Sequence, residues 1–482
     1  MIDFRPIFFV LGILLVTLSL GMGGPALADV IAGQNDWQVF MGSSATCLFV
    51  GVALILTMRT ERVRFTLRQA FLLTTLSWAV IALFGALPFA FSDLGLSFTD
   101  AVFESMSGIT TTGATVITKL DDAPPGLLLW RAILQWLGGI GIIVMAISVL
   151  PMLQVGGMQL FHMESTDQSE KALPRVAQVT SAIIIIYFGL SALCATSYWL
   201  AGMSGFDAVA HAMTTVATGG YSTFDQSVGF FKNDAIEWVA VVFMAAGALP
   251  FVLYLQFVRG NLLMLVRDSQ VQTFFGIVFC AITVLVVWQV AVDQVPIGTS
   301  IRLVAFNLIS VITGTGYATT DFGLWGEFSV TVFFFAMFIG GCAGSTTCGL
   351  KIFRLQVLYA NTRCQIKKLM QPHGVFIPHF NRRPIPAAAS ESVLSFFFLY
   401  IMAFGALSIG LGWMGLDFIT AVSGAASAIA NVGPGLGPVI GPAGTYAPLP
   451  DAAKWMLSFG MLLGRLELFT VLVLLTPAFW RT

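Results

Sequence analysis

Ten apolar runs recur along the chain, at roughly 6–28, 36–57, 69–92, 126–150, 176–200, 235–258, 271–293, 324–353, 390–413 and 452–477. Each reaches about 20 residues, the length a helix needs to cross the hydrocarbon core of a bilayer. Only 10% of the 482 residues are charged and 57% are hydrophobic, with a mean hydropathy of +0.88. The pattern reads as an all-α polytopic membrane protein surrounded by membrane lipid.

Lysine and arginine set the orientation. With both termini inside, the inner side receives Arg5, Arg59, Arg62, Arg64, Arg68, Lys171, Arg175, Arg259, Arg267, Arg354, Arg363, Lys367, Lys368, Arg382, Arg383 and Arg481, against only a few outside, such as Lys119, Lys232 and Lys454. Positive charge therefore concentrates on the cytoplasmic face. Asp121, Asp122, Asp225, Asp234 and Asp321 fall on outer segments, as a solvated loop surface or as a vestibule that attracts cations. Arg5, the apolar stretch after it and Ala-Leu-Ala at 26–28 resemble a signal peptide, but the run is longer than such a peptide needs and is read as a span. A net charge of −1 without a basic tail offers no nucleic-acid surface. The six cysteines lack framework spacing, which argues against disulfides and a zinc site.

Between outward and inward runs lie four segments too short or too polar to cross, and they superpose on single glycines. "FTDAVFESMSGITTTGAT" anchors on Gly113 and "GFDAVAHAMTTVATGGYS" on Gly220, repeating Asp-Ala-Val and matching Met106 with Met213. Anchoring the third on Gly316 and the fourth on Gly433 leaves a hydroxyl six residues earlier in all four: Ser107, Thr214, Ser310 and Ser427. Each repeat reads as span, short helix, extended glycine-bearing loop, span. Unpaired N–H and C=O groups in such a loop would each cost several kcal/mol against lipid, so it must line water, protein or an ion. Glycine reaches backbone angles closed to other residues, and four such loops around one axis would form an oxygen cage. The competing reading is that these glycines only pack, as Gly138–Gly141 do in "GGIG".

"TTG" at 111–113 and "TGY" at 315–317 look like fragments of the potassium-channel filter TVGYG, whose carbonyl oxygens replace the ion's hydration shell. Four unlike copies in one chain, "TTTGAT" (110–115), "ATGGYS" (217–222), "TGTGYA" (313–318) and "ANVGPG" (430–435), resemble the Trk/Ktr/HKT superfamily of cation transporters over about residues 60–482. The two extra N-terminal spans and the ending "GRLELFTVLVLLTPAFWR" point within it to the Trk-type bacterial potassium-uptake subunits. The resemblance implies two extra helices at 1–60 and four pore repeats at 61–155, 170–265, 266–370 and 385–482, the third with a broken second span. The coordinating backbone is then that of Thr111, Thr112 and Gly113; Thr218, Gly219 and Gly220; Gly314, Thr315 and Gly316; and Asn431, Val432 and Gly433. Only Tyr221 and Tyr317 keep the filter aromatic, which Ala114 and Pro434 replace, so fewer ordered ion sites and weaker discrimination against sodium are expected.

A second constellation interrupts the 324–353 run with "GGCAGSTTCGLK" (340–351), where a continuous helix is not expected. The family counterpart is an intramembrane gating loop below the filter, here Gly340, Gly341, Gly344, Ser345, Thr346, Thr347 and Gly349. Leu350 between Gly349 and Lys351 spoils the Walker-like spacing, Cys342 and Cys348 are not spaced as a zinc motif, and "GPGLGP" (433–438) has no preceding strand. Arg465 sits inside the last span, where a charge is costly. It is either a paired structural arginine or, as the resemblance suggests, a pore-facing gate residue, with Glu467 expected on another face of the same helix. Glu104 and His211 occupy matching places and either brace the filter backbone or sense protons or ions.

No activated nucleophile or acid–base pair emerges, so the chain is not read as an enzyme, and potassium is cargo with no covalent cofactor. The function expected is potassium uptake across a bacterial inner membrane. The alternatives are a sodium-selective carrier, a proton- or sodium-coupled carrier, and a non-conducting receptor or scaffold. The resemblance also implies a homodimer with one pore per protomer and a cytosolic RCK-type nucleotide-binding ring. The basic stretch 354–383 could meet that ring, although positive-inside bias explains it equally well.

Overall fold

A computed structural model describes residues 3–59, 65–148, 173–261, 263–381 and 383–481. Arg62, Arg64, Lys171 and Arg382 of the inner basic set lie outside the described residues. Among those described, seven helices are long and apolar enough to cross a membrane, and nine if each of two bent pairs counts as one span.

The chain opens with a hairpin of α1 (Arg5–Ala32) and α2 (Trp37–Thr57). The Ala-Leu-Ala triplet lies inside α1. Gly12 and Gly51 allow the two backbones to meet, since a Cβ on either would come within 2.7–2.9 Å of the other's carbonyl oxygen. Ser19 and Ser44 exchange hydrogen bonds of 2.9–3.0 Å two turns further along. This hairpin packs against α3 (Leu67–Phe91), which starts at a Thr66–Gln69 capping box, and against α5 (Pro125–Ser148).

Four repeats follow. The first comprises α3, the short helix α4 (Phe98–Ile109) and α5, and the second α6 (Leu173–Leu200), α7 (Gly205–Val216) and the bent pair α8 (Asp234–Gly247) and α9 (Phe251–Val258). The third has α10 (Ser269–Val292), α11 (Ile297–Ile312), α12 (Glu327–Phe338) and α13 (Ile352–Met370). The fourth has α14 (Ala387–Trp413), α15 (Phe418–Ala430), α16 (Asp451–Arg465) and α17 (Phe469–Leu475). In its most apolar stretch α5 is 61% buried, against 22% for α10 and α14, which places α5 beside the centre and the others at the rim.

The break expected in the 324–353 run is present: α12 ends at Phe338 and helix resumes only at Ile352. Two spans expected to be continuous are not. The 235–258 run bends by 98° between α8 and α9, and the 452–477 run by 111° between α16 and α17. Pro250 has no N–H and biases Leu249 away from helical angles. In the last span Glu467 and Leu468 take φ of 59° and 47°, which turns the chain.

The breaks satisfy one another. Carbonyls freed at the end of α8 accept from the intramembrane loop, Cys342 N–H to Ala248 at 2.9 Å and Thr346 N–H to Gly247 at 3.2 Å, while Phe251 N–H donates to Gly344 at 3.0 Å. Irregular backbone at this depth is tolerated because protein groups, not lipid, complete it.

Candidate functional site

The short helices α4, α7 and α15 begin at side-chain caps. Ser97, Ser204 and Asp417 accept from the N–H groups of Asp100, Asp207 and Thr420, each at 3.1 Å. All four short helices end on one motif. The N–H just before each anchor glycine donates to the carbonyl six residues before that glycine: Thr112 to Ser107 at 2.9 Å, Gly219 to Thr214 at 2.8 Å, Thr315 to Ser310 at 2.9 Å, and Val432 to Ser427 at 3.0 Å. The recurrent hydroxyl position thus owes its constancy to its backbone carbonyl. The hydroxyls diverge, Ser310 donating to Tyr317 O at 2.7 Å and Ser427 to Gly433 O at 2.8 Å.

Beyond each helix the backbone alternates in the same way. Two residues before the anchors, Thr111, Thr218, Gly314 and Asn431 have φ of 54°, 52°, 69° and 54°, and the anchors themselves have 85°, 78°, 78° and 103°. Three of those preceding residues are not glycine, and such conformations persist only where surrounding contacts enforce them.

The anchor glycines face their neighbours in cyclic order. A Cβ on Gly113 would strike the Gly219 carbonyl oxygen, one on Gly220 that of Thr315, one on Gly316 that of Val432, and one on Gly433 would lie 2.7 Å from that of Thr112. Loop one meets two, two meets three, three meets four and four meets one. Thr112, Gly113, Gly219, Gly220, Thr315, Gly316, Val432 and Gly433 meet in this ring and Gly314 lies against the Asn431 carbonyl, while the side chains of Thr111 and Thr218 face Gly138 and Thr346. Each short helix directs its partially negative C-terminal end toward the ring.

Buried side chains brace the ring. Glu104 accepts from Val116 N–H at 2.9 Å and from Arg131 Nε at 2.8 Å. His211 bonds Asp207 O at 2.9 Å and Ser222 Oγ at 3.0 Å. Asn307, nine residues before its anchor as Glu104 and His211 are before theirs, accepts from Thr319 N–H at 3.2 Å. The sequence reading missed it, although the same superposition contains it. Also missed were Arg131 and Gln135 on α5, which bond the carbonyls of Ser222 and Gly219, and Tyr446, whose hydroxyl donates to Gly433 O at 2.8 Å. Tyr446 N–H donates to Thr115 O at 2.9 Å and its ring packs on Phe103, so an aromatic from outside the motif closes the seam between loops four and one, where Ala114 carries none. No periodic signal marks it.

Glycines on the inner helices let them approach. A Cβ on Gly138, Gly247 or Gly464 would crowd the carbonyl four residues before the adjacent anchor, at Ile109, Val216 and Ile429. Gly139 packs on Ala217 and Tyr187.

The intramembrane loop is buried directly against this assembly. Thr346 Oγ1 donates to Val216 O at 3.1 Å and Gly247 O at 2.9 Å, and lies 3.2 Å from Thr218 Oγ1. Ser345 and Thr347 share a 2.7 Å hydrogen bond, and Thr347 Oγ1 accepts from Gly341 N–H at 3.1 Å. Gly340 N–H donates to Leu350 O at 3.0 Å, while Gly344 and Gly349 take φ of 74° and 70°. Arg465, also buried, donates to Thr346 O at 3.0 Å, Cys348 Sγ at 2.8 Å and Gly138 O at 2.8 Å.

Glu467 departs from expectation. The helix stops at Arg465, and Glu467 turns to form ion pairs with Arg354 and with Lys351, the latter at 3.5 Å. Arg354 also stacks 3.8 Å from the Phe396 ring, so it belongs to this buried cluster and not to an exposed basic face. Four of the five aspartates expected on outer segments serve local structure. Asp225 accepts from Leu120 N–H, Asp121 from Asp225 N–H and Asp321 from Gly323 N–H, while Asp234 pairs with Arg302 at 2.8 Å.

The family described as TrkH, cation transport protein, matches residues 36–481. The chain is 48% identical to the Trk system potassium uptake protein TrkI of Halomonas elongata over 479 residues, 99% of this chain and 97% of the relative. It is 36% identical to the Trk system potassium uptake protein TrkH of Escherichia coli strain K12, over 99% of both chains. The crystal structure of the potassium transporter TrkH from Vibrio parahaemolyticus superposes with a TM-score of 0.93 at 36% identity, covering 100% of both chains. Four span–helix–loop–span units closing one ring, preceded by two further membrane helices, are thus the shared architecture, and the chain belongs to the TrkH family of cation transport proteins.

Proposed function

We propose that this chain carries potassium through the ring of four loops, into the cell across a bacterial inner membrane. The observation that carries the reading is the cyclic order of glycine–carbonyl contacts, which sets one backbone oxygen from each repeat beside the next. The coordinating set is the backbone of Thr111–Gly113, Thr218–Gly220, Gly314–Gly316 and Asn431–Gly433. The chain is a transporter and not an enzyme, and an inside-negative potential supplies about 2.3 kcal/mol per charge per 100 mV. The relatives' names specify potassium uptake, which sets aside the sodium-selective alternative.

The intramembrane loop and Arg465 form the gate in this reading. Their mutual hydrogen bonds below loop two support it. The boundaries 61–155, 170–265, 266–370 and 385–482 delimit the four repeats, both termini face the cytosol, and the chain works as a homodimer with one pore in each protomer. A cytosolic RCK-type ring docks on the basic stretch 354–383; neutralising Lys367, Lys368, Arg382 and Arg383 abolishes that docking, and unchanged binding refutes it.

Rubidium-tracer uptake into potassium-loaded proteoliposomes, with external potassium or sodium as competitor, tests the central claim. Potassium alone should compete. Equal competition by sodium refutes selectivity, and uptake absent even with the ring protein added refutes conduction.

A further inference from the structure

The second loop differs from the other three in one respect. At the residue before the anchor, where the others carry Thr112, Thr315 and Val432, it carries Gly219. Gly219–Gly220 is the one Gly–Gly pair in the four loops. Such a peptide has the widest conformational freedom, whereas β-branched neighbours stiffen the other loops. Those loops are also tied from behind. Thr112 Oγ1 bonds Thr110 Oγ1 at 2.8 Å and accepts from Asn431 Nδ2 at 2.8 Å, Thr315 Oγ1 bonds Thr313 Oγ1 at 2.8 Å, and Asn431 Nδ2 also donates to Met461 O at 2.9 Å.

Behind Gly219 the space is filled from another element. Gln135 on α5 lies where a Cβ at 219 would overlap it. Its Nε2 donates to Gly219 O at 2.6 Å, and its Oε1 accepts from Tyr221 N–H at 3.0 Å. One turn earlier on the same face, Arg131 Nη1 donates to Ser222 O at 2.7 Å and the guanidinium sits 3.9 Å from the Tyr221 ring centre. The second helices of repeats two and four, α8 and α16, carry nothing comparable. Aligned on Gly138, Gly247 and Gly464, the Arg131/Gln135 pair corresponds to Ala240/Met244 on α8 and Leu457/Met461 on α16.

We infer that Gln135 is a specificity-determining positioning residue: its amide locks the Gly219–Gly220 peptide plane so that the Gly219 carbonyl stays in the ring. Gly219 and Gln135 form a complementary pair, the glycine admitting the amide and the amide replacing the rigidity the glycine gives up. Without the amide the plane rotates, one of four oxygens leaves the ring, and preference for the larger, more weakly hydrated ion falls. The inference rests on the potassium pathway proposed above.

The test compares Gln135→Met, which copies the residue at 244 and 461, with Gln135→Glu. Rubidium uptake is measured at pH 5.5 and pH 8 with potassium or sodium as competitor. The potassium-over-sodium inhibition ratio should fall about tenfold in Gln135→Met, the effect of one buried hydrogen bond. Gln135 is fully buried, and burial raises a carboxyl above its usual range, so Gln135→Glu should approach wild type at pH 5.5, where the carboxylic O–H can donate to Gly219 O, and lose selectivity at pH 8, where a carboxylate faces that oxygen. Glu104, Arg131, His211 and Tyr221 surround the site in every variant, so wild type at both pH values removes their contribution. An unchanged ratio in Gln135→Met, or a pH-independent ratio in Gln135→Glu, overturns the inference. If Gln135→Met yields no folded protein, the Gln135→Glu comparison decides by itself. Loss of potassium preference in wild type would refute the transport reading instead.

Discussion

Replacing Arg465 by alanine should open the pathway without any regulatory partner. Arg465 ties the intramembrane loop through Thr346 O at 3.0 Å and Cys348 Sγ at 2.8 Å, and ties itself to α5 through Gly138 O at 2.8 Å. Hydrogen bonds from a charged donor contribute about 1.5–3 kcal/mol. Only bonds that break when the loop moves shift the equilibrium. The bond to Gly138 drops out on that criterion, and the thiol is a weak acceptor, so the Thr346 bond dominates at about 2 kcal/mol. That corresponds to roughly a thirtyfold gain in the open population. The assay is basal rubidium uptake in proteoliposomes, with the melting temperature of the purified variant as a folding control. Arg465→Lys separates two mechanisms: it keeps the charge but not the fork of donors. If pinning dominates, lysine also raises basal uptake; if repulsion of the cation dominates, only alanine does. Basal uptake unchanged in well-folded Arg465→Ala would refute the gating role.

Three further outcomes follow from the geometry. Gly113→Ala places a Cβ against the Gly219 carbonyl at φ of 85°; well-folded variant protein should lose its potassium-over-sodium ratio at least tenfold, and a drop in melting temperature with the ratio intact would instead favour packing alone. Tyr446→Phe removes the 2.8 Å bond to Gly433 O and should cost about 1 kcal/mol, read as a lower melting temperature with a measurable fall in selectivity. Asp36, buried between α1 and α2 and close to Asp93, has its carboxyl pushed above the usual range, by burial first and then by its acidic neighbour. A raised native value means that folding is penalised once the carboxyl ionises, so Asp36→Asn should raise the melting temperature at pH 8 and leave it unchanged near pH 3; a shift equal at both pH values would refute this.

Periodicity and spacing carried the broad architecture because membrane burial leaves few solutions. Apolar length marks a span, and a glycine loop at that depth has to be enclosed. The anchor superposition succeeded because Gly113, Gly220, Gly316 and Gly433 answer one stereochemical demand, positive φ beside a neighbour's carbonyl. It reached Glu104 and His211 but passed over Asn307, whose different side chain accepts from the loop N–H three residues after the anchor as Glu104 does. The bends at Pro250 and at Glu467–Leu468 were not anticipated, because hydropathy does not register a break whose freed groups are satisfied by a distant segment. Glu467 could not be assigned from helical spacing once the helix ended at Arg465.

The order of residues alone settled a membrane-embedded helical chain, its four quasi-repeats and the glycines at their centre, since each of these is a local pattern of hydropathy or backbone freedom. Folding had to supply the rest: which loop meets which, that Tyr446 fills a seam and Gln135 backs Gly219, and that Arg465 reaches the intramembrane loop while Glu467 turns to Lys351 and Arg354. These are contacts across 84 or more positions, apart from the bond of Tyr446 to Gly433, 13 residues away, which the same residue joins to Thr115 of the first repeat. They depend on distances between elements, and no periodicity along the chain encodes such a distance.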